Sequence, residues 1–129
     1  MAGVLLVEDD PDVRIILDEM LHALGFDSFE AKDGAQTLDI LETIEPDLLI
    51  VDLIIPNIDG IELIETVRQV SSEIPIITIS GTGDSQLIEK AMEKGANLFI
   101  PKPVTEKELY EAVSSVMPPL DHLKNFKGA

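Results

Sequence analysis

The chain has 129 residues, 45% of them apolar and 26% charged, a formal net charge of −16 and no cysteine. That length suits one domain with one core, and the missing cysteines exclude disulfides and thiolate metal sites. Nucleic-acid binding needs Lys and Arg against phosphate, so direct contact with DNA or RNA is not expected; small cations and basic partner surfaces are favoured instead.

Val4-Leu5-Leu6-Val7 reads as a buried strand that runs into the acids Glu8, Asp9 and Asp10. Asp10 is placed to cap a helix with Pro11 at its first position, where a missing N–H costs nothing. Val13, Ile16, Leu17, Met20, Leu21 and Leu24 form one apolar stripe along it, and Gly25 is placed to end it. A short strand near Phe26 to Ala31 follows, expected at a sheet edge. Asp33-Gly34-Ala35-Gln36 resembles a capping box and opens a second helix running to about Ile44. The next apolar run, Leu48-Leu49-Ile50-Val51, ends in Asp52.

Asp59-Gly60-Ile61-Glu62 opens a third helix, with Ile61, Ile64 and Val67 spaced for burial. Ile76-Ile77-Thr78-Ile79 reads as a strand ending in Ser80. Asp84 is placed to cap the fourth helix, which carries Leu87, Ile88, Ala91 and Met92, the last read as a core or half-core residue, and Gly95 stops it. Asn97-Leu98-Phe99-Ile100 runs into Pro101-Lys102-Pro103, where Pro101 lacks a donor and is expected to cut pairing short. Thr105-Glu106-Lys107-Glu108 opens the last helix, with Leu109, Ala112, Val113 and Val116 facing inward. Pro118 and Pro119 break it. The expected organisation is therefore a domain over 1–117 and a tail or linker over 118–129, with Leu120, Leu123 and Phe126 at helical spacing.

Apolar strands alternating with amphipathic helices predict an α/β fold, with a parallel sheet covered by helices on both faces. Right-handed crossovers make a doubly wound sheet the expected topology. Ligands bind at the carboxyl ends of such strands, so Glu8, Asp9, Asp52, Ser80 and Lys102 should meet at one place. Taken singly, Asp10 is a helix cap, Lys102 a solvated lysine and Ser80 a turn residue. The agreement of four strand ends is what favours a site.

Converging carboxylates repel one another, and a divalent cation relieves that cost. Hard oxygen ligands without His or Cys select Mg²⁺, or Mn²⁺ in its place. A carboxylate can attack a phosphoryl group to form an acyl phosphate while cation and lysine neutralise the transferred oxygens. Asp52 is the candidate nucleophile, Asp9 a direct metal ligand and Glu8 a ligand acting through water. Lys102 supplies a point charge to the phosphoryl group and Ser80 a hydrogen bond. His22 and His122 have no partner acid or serine at catalytic spacing.

Val7-Glu8-Asp9-Asp10, then Asp52 with Pro56 and Gly60 behind it, then Ser80, then Phe99 and Lys102-Pro103, together resemble the receiver domain of bacterial two-component response regulators. The resemblance covers roughly Val4 to Met117. It implies a flavodoxin-like sheet of order 2-1-3-4-5, with Asp52 as phospho-acceptor and Glu8, Asp9 and Asp52 as metal ligands. The Ile54 carbonyl completes the metal shell, Lys102 is the site lysine, and the Lys102–Pro103 bond is cis. Ser80 and Phe99 match the family's switch pair, which reshapes the surface of the fourth helix, last strand and fifth helix.

Phosphate is expected from a histidine kinase, a phosphotransfer protein or a small donor such as acetyl phosphate. The receiver assists its own phosphorylation and dephosphorylation rather than acting as an enzyme on other substrates. A downstream effector or an output domain outside this chain, a phosphorylation-dependent homodimer and a cytoplasmic location without membrane contact are further expectations.

The chain departs from the family pattern in four places, Pro101 before Lys102 being one. Gly81-Thr82-Gly83 should give a mobile loop, Ser80 stands where threonine is commoner, and Ile54 is apolar where many relatives are polar. Ile54 is expected to hinder water at the acyl phosphate, so Ile54→Asn should dephosphorylate faster. The alternative within the family is a degenerate receiver that binds partners without phosphorylation. A flavin or nucleotide carrier would want a Ser/Thr/Gly-rich phosphate loop after the first strand, where this chain has acids. An aspartyl phosphatase would want its nucleophile there, together with a cap domain.

Overall fold

The structure, a computed structural model, describes residues 3–55, 59–81 and 83–117. Pro56, Thr82 and the tail, with Leu120, His122, Leu123 and Phe126, lie outside the described residues. Each long apolar run is a strand and each amphipathic stretch a helix. In order they are β1 (Gly3–Val7), α1 (Pro11–Ala23), β2 (Asp27–Ala31), α2 (Gly34–Leu41) and β3 (Leu48–Asp52). The second half continues with α3 (Gly60–Val70), β4 (Ile76–Ser80), α4 (Ser85–Lys94), β5 (Leu98–Pro101) and α5 (Glu106–Val116).

The five strands form one parallel sheet in the order β2-β1-β3-β4-β5. This is the flavodoxin-like doubly wound fold, with its topological switch between β1 and β3. Every residue of β3 and β4 is buried, because helices cover both faces. Leu17, Leu21 and Leu24 of the first helix pack with Leu109, Val113 and Met117 on one face. Ile61, Leu63, Ile64, Val67 and Ala91 pack on the other. Full burial of each such aliphatic side chain contributes about 1.5–3 kcal/mol, so the core, rather than helix propensity, holds these elements.

The caps follow the sequence closely. Asp10 accepts from the backbone of Asp12 and Val13, and Asp84 from Gln86 and Leu87. Thr105 and Glu108 form a reciprocal capping box. At the second helix the expected box is only half made: Asp33 Oδ1 accepts from Gln36 N, but the Gln36 side chain turns to Lys32 N instead.

Gly60 is required by space. A Cβ there would lie 2.5 Å from the Leu53 carbonyl oxygen, because α3 begins hard against the end of β3.

Four expectations need correction. Ile16 is 51% exposed rather than part of the buried stripe: α1 turns Leu17 and Leu21 to the sheet and leaves Ile16 beside Pro103 and Val104. α2 ends at Leu41, short of Ile44, although Ile44 N still donates to Ile40 O at 2.9 Å. On α4 only Ala91 is buried, and Met92 is 37% exposed.

Pro101 does not cut the pairing short. Asn97 N donates to Ile76 O, and the alternation of a parallel ladder makes position 101 the donor to Ser80 O. Proline has no donor, and Lys102 N takes that bond at 2.9 Å.

Candidate functional site

Each polar residue at a strand end is tied down by one ladder bond beyond the strand. Glu8 N donates to Ala31 O, Leu53 N to Ile79 O and Lys102 N to Ser80 O. The switch between β1 and β3 opens a crevice there. Glu8, Asp9 and Asp52 meet in it, with a carboxylate oxygen from each within 4.8 Å of the others. Such a set of hard donors can hold a divalent cation.

Lys102 reaches into the cluster from the far side of the sheet. Its Nζ donates to Asp52 Oδ2 at 2.7 Å and lies 2.5 Å from Glu8 Oε1. Lys102 thus bridges the two buried carboxylates. The second oxygen of Asp52 accepts from Ile54 N at 3.0 Å.

Both members of the ion pair carry perturbed charges. Burial, reinforced by hydrogen bonding and repulsion from Asp52, pushes Glu8 up to about 7 despite the nearby Lys102. For Lys102, burial opposes the charge, but contacts with Asp52 and Glu8 outweigh it and hold its pKa above the ordinary lysine value. The site therefore carries more carboxylate than one ammonium can neutralise. A hard cation fits that deficit.

The other expected residues fall around this centre. Ser80 is buried at the end of β4. Phe99 is half-buried on neighbouring β5, with its Cα opposite Thr78, and packs against the cluster beneath α3 and α4. Ile54 follows Asp52 with its side chain 62% exposed. The Lys102–Pro103 bond is cis. Asp9 is exposed, as a group open to solvent and cation would be.

Two arginines escaped the sequence reading. Arg14 Nη1 donates to Glu8 O at 2.8 Å and contacts Asp9 O at 3.5 Å. Arg68 makes five hydrogen bonds at the opposite, amino-terminal edge of the sheet. Both lie on otherwise ordinary polar helix faces, and most of their partners are backbone carbonyls, which no sequence pattern displays.

Fold and site together define a doubly wound α/β protein with an acidic, lysine-flanked crevice at its switch point. The model of the response regulator receiver domain family matches residues 4–114, and the chain belongs to that family. It is 33% identical to the sporulation initiation phosphotransferase F of Bacillus subtilis (strain 168), over 89% of this chain and 93% of that protein. The crystal structure of a putative response regulator from Chloroflexus aurantiacus J-10-fl superposes with a TM-score of 0.85 at 32% identity. That match covers 89% of this chain and 96% of that one.

The receiver domain of the sensor histidine kinase PA1611 from Pseudomonas aeruginosa PAO1 has a magnesium ion coordinated in its active-site cleft. It matches with a TM-score of 0.82 at 26% identity, over 89% of this chain and 96% of that one. The chain spans 49% and 50% of the length of two further curated relatives. Among the described residues no helix is long and apolar enough to cross a membrane.

Proposed function

We propose that this receiver is a phosphorylation-dependent switch that accepts a phosphoryl group on Asp52. The observation that carries this reading is the placement of Lys102 Nζ between Asp52 and the buried Glu8, within the three-acid cluster. The donor is the phosphorylated histidine of a kinase or phosphotransfer protein. An Asp52 oxygen attacks phosphorus, the P–N bond breaks, the imidazole leaves with its electron pair, and an acyl phosphate remains. Lys102 then shifts its charge toward the new phosphoryl oxygens.

Glu8, Asp9, Asp52 and the Ile54 carbonyl are the groups that would hold Mg²⁺, or Mn²⁺ in its place. The cation, when bound, supplies neutralising charge to the phosphoryl oxygens. Ser80 donates a hydrogen bond to the phosphoryl group, and Phe99 follows it inward, so the α4-β5-α5 surface changes shape.

We assign residues 1–117 to the receiver and 118–129 to a tail or linker. The readout is a downstream protein or an output domain beyond this chain, in the cytoplasm. The receiver promotes its own phosphorylation and dephosphorylation and is not an enzyme toward other substrates. A phosphorylation-dependent homodimer through α4 and α5 belongs to the same proposal. The reading of a degenerate, phosphorylation-independent module is disfavoured, because acid cluster, acceptor and lysine are all in place.

Intact-mass measurement after incubation with acetyl phosphate and Mg²⁺ tests the proposal. One phosphoryl adduct is expected, lost in Asp52→Asn and lost on chelation with EDTA. An adduct that persists in Asp52→Asn would place the chemistry elsewhere. No adduct on the folded wild-type protein, with phosphohistidine donors as well, would return the degenerate reading.

A further inference from the structure

Arg14 sits on the first turn of α1, one helix face away from the acids, and does not bear on the phosphoryl chemistry directly. Its guanidinium is nonetheless fixed at both ends. Nη1 donates to Glu8 O at 2.8 Å and approaches Asp9 O at 3.5 Å. Nε lies 3.5 Å from Glu30 Oε2, on neighbouring β2. Its side chain is only 21% exposed, while Glu30 is 44% exposed. The planar fork thus spans from the edge strand to the turn that presents the acid pair.

That turn needs a brace. Glu8 and Asp9 lie between the end of β1 and the cap residue Asp10, and Glu8 N makes the last ladder bond, to Ala31 O. The Glu8 carboxylate is fully buried beside Asp52, with one oxygen 2.5 Å from Lys102 Nζ, so its direction depends on where the backbone of the turn is held. The Glu8 and Asp9 carbonyls, held by one nitrogen, set where both side chains leave the backbone.

We propose that Arg14 is a positioning residue for the divalent-cation site: it clamps the Glu8–Asp9 backbone against β2 so that both carboxylates face Asp52. This rests on the reading of that cluster as a cation site. The clamp makes an expectation opposite in sign to that of simple charge. An arginine near a cation repels it, so removing Arg14 for charge reasons alone would tighten cation binding. Removing a positioning group weakens it, by about 10–100-fold where such outer groups have been removed from metal sites.

The test is a Mg²⁺ titration of the full chain followed by backbone amide shifts, for wild type, Arg14→Ala and Arg14→Lys. Arg14→Ala is expected to bind Mg²⁺ at least about tenfold more weakly. Arg14→Lys keeps the charge but cannot reach the carbonyls and Glu30 together, and should fall between the two. Acetyl-phosphate uptake on Asp52 should return to the wild-type level in both variants once Mg²⁺ is saturating. Affinity in Arg14→Ala equal to or tighter than wild type would overturn the clamp. If Arg14→Ala does not fold, wild-type affinity in Arg14→Lys overturns it alone. A wild-type protein that binds no Mg²⁺ would instead sink the cation site itself, a separate outcome.

Discussion

At the scale of single residues, the costliest group is Glu8. It is fully buried, lies within the same cluster as Asp52, and is offset only by a lysine shared with that neighbour. An acid whose folded pKa stands above its unfolded value favours the fold only while it is protonated. Unfolded, Glu8 ionises near its ordinary 4.5; folded, it does so at about 7. Its stabilising share is therefore complete below 4.5 and lost as pH rises through about 7. The difference of roughly 2.5 units amounts to on the order of 3 kcal/mol at most. Glu8→Gln removes the ionisation but keeps the shape. In EDTA, urea unfolding should show the variant close to wild type at pH 4.5 and more stable at pH 8, by about 1–3 kcal/mol. A gap of equal size at both pH values would mean that Glu8 does not carry the titration.

At the scale of elements, the helices are joined to the sheet unevenly. Arg68, in the last turn of α3, ties that helix to the end of α4 and to the segment before β4: Nε and Nη2 donate to Gly95 O at 3.0 and 2.7 Å, and Nη1 to Ile74 O at 2.6 Å. Nη2 also donates to Asn97 Oδ1, which itself accepts from Ile76 N. Gly95 adopts φ +128, and a Cβ there would strike Arg68 Cγ at 2.6 Å, so the glycine serves both the helix stop and the arginine's passage. Arg68→Ala strands these acceptors and should cost about 2–4 kcal/mol in urea unfolding, with Mg²⁺ affinity unchanged because the site lies at the other end of the strands. A loss below about 0.5 kcal/mol would mean that water replaces the guanidinium at no cost.

The sequence showed the helices and strands because apolar period, caps and stops are local signals: Asp10, Asp84, Thr105 and Gly95 could each be read in place. The site acids and Lys102 were legible because strand ends converge in any parallel sheet. Arg14 and Arg68 were not, since each answers to carbonyls brought near only by the fold. Ile16 misled because its spacing fits the stripe, and only packing decides which edge of a stripe faces solvent.

At the scale of the whole molecule, these attachments set which part can move. The sheet, α1 and α5 share one continuous cluster, and α2 and α3 are held by a second. α4 joins the second cluster through Ala91, its only fully buried residue, with Leu87 half-buried against it. Its far end is pinned by Arg68 at Gly95. Its near end follows Gly81 and Gly83, where an added Cβ would meet nothing within 4 Å. A helix fixed at one end, with open space beside Gly81 and Gly83 at the other, is placed to move at its start if Asp52 is phosphorylated.

Drawing Ser80 toward a phosphoryl group on Asp52 should therefore move the start of α4 most and its end least. Amide hydrogen exchange, compared with and without acetyl phosphate in Mg²⁺, is expected to change at Gly81 and from Gly83 through Ile88. It should stay constant at Met92 through Asn97. Arg68→Ala should release that constancy, so that the change spreads along the whole helix. Exchange that is unchanged at Gly81 and Gly83 while Asp52 is phosphorylated would place the moving part outside this loop. An equal change at both ends of α4 in the wild type would show that Arg68 does not hold the hinge.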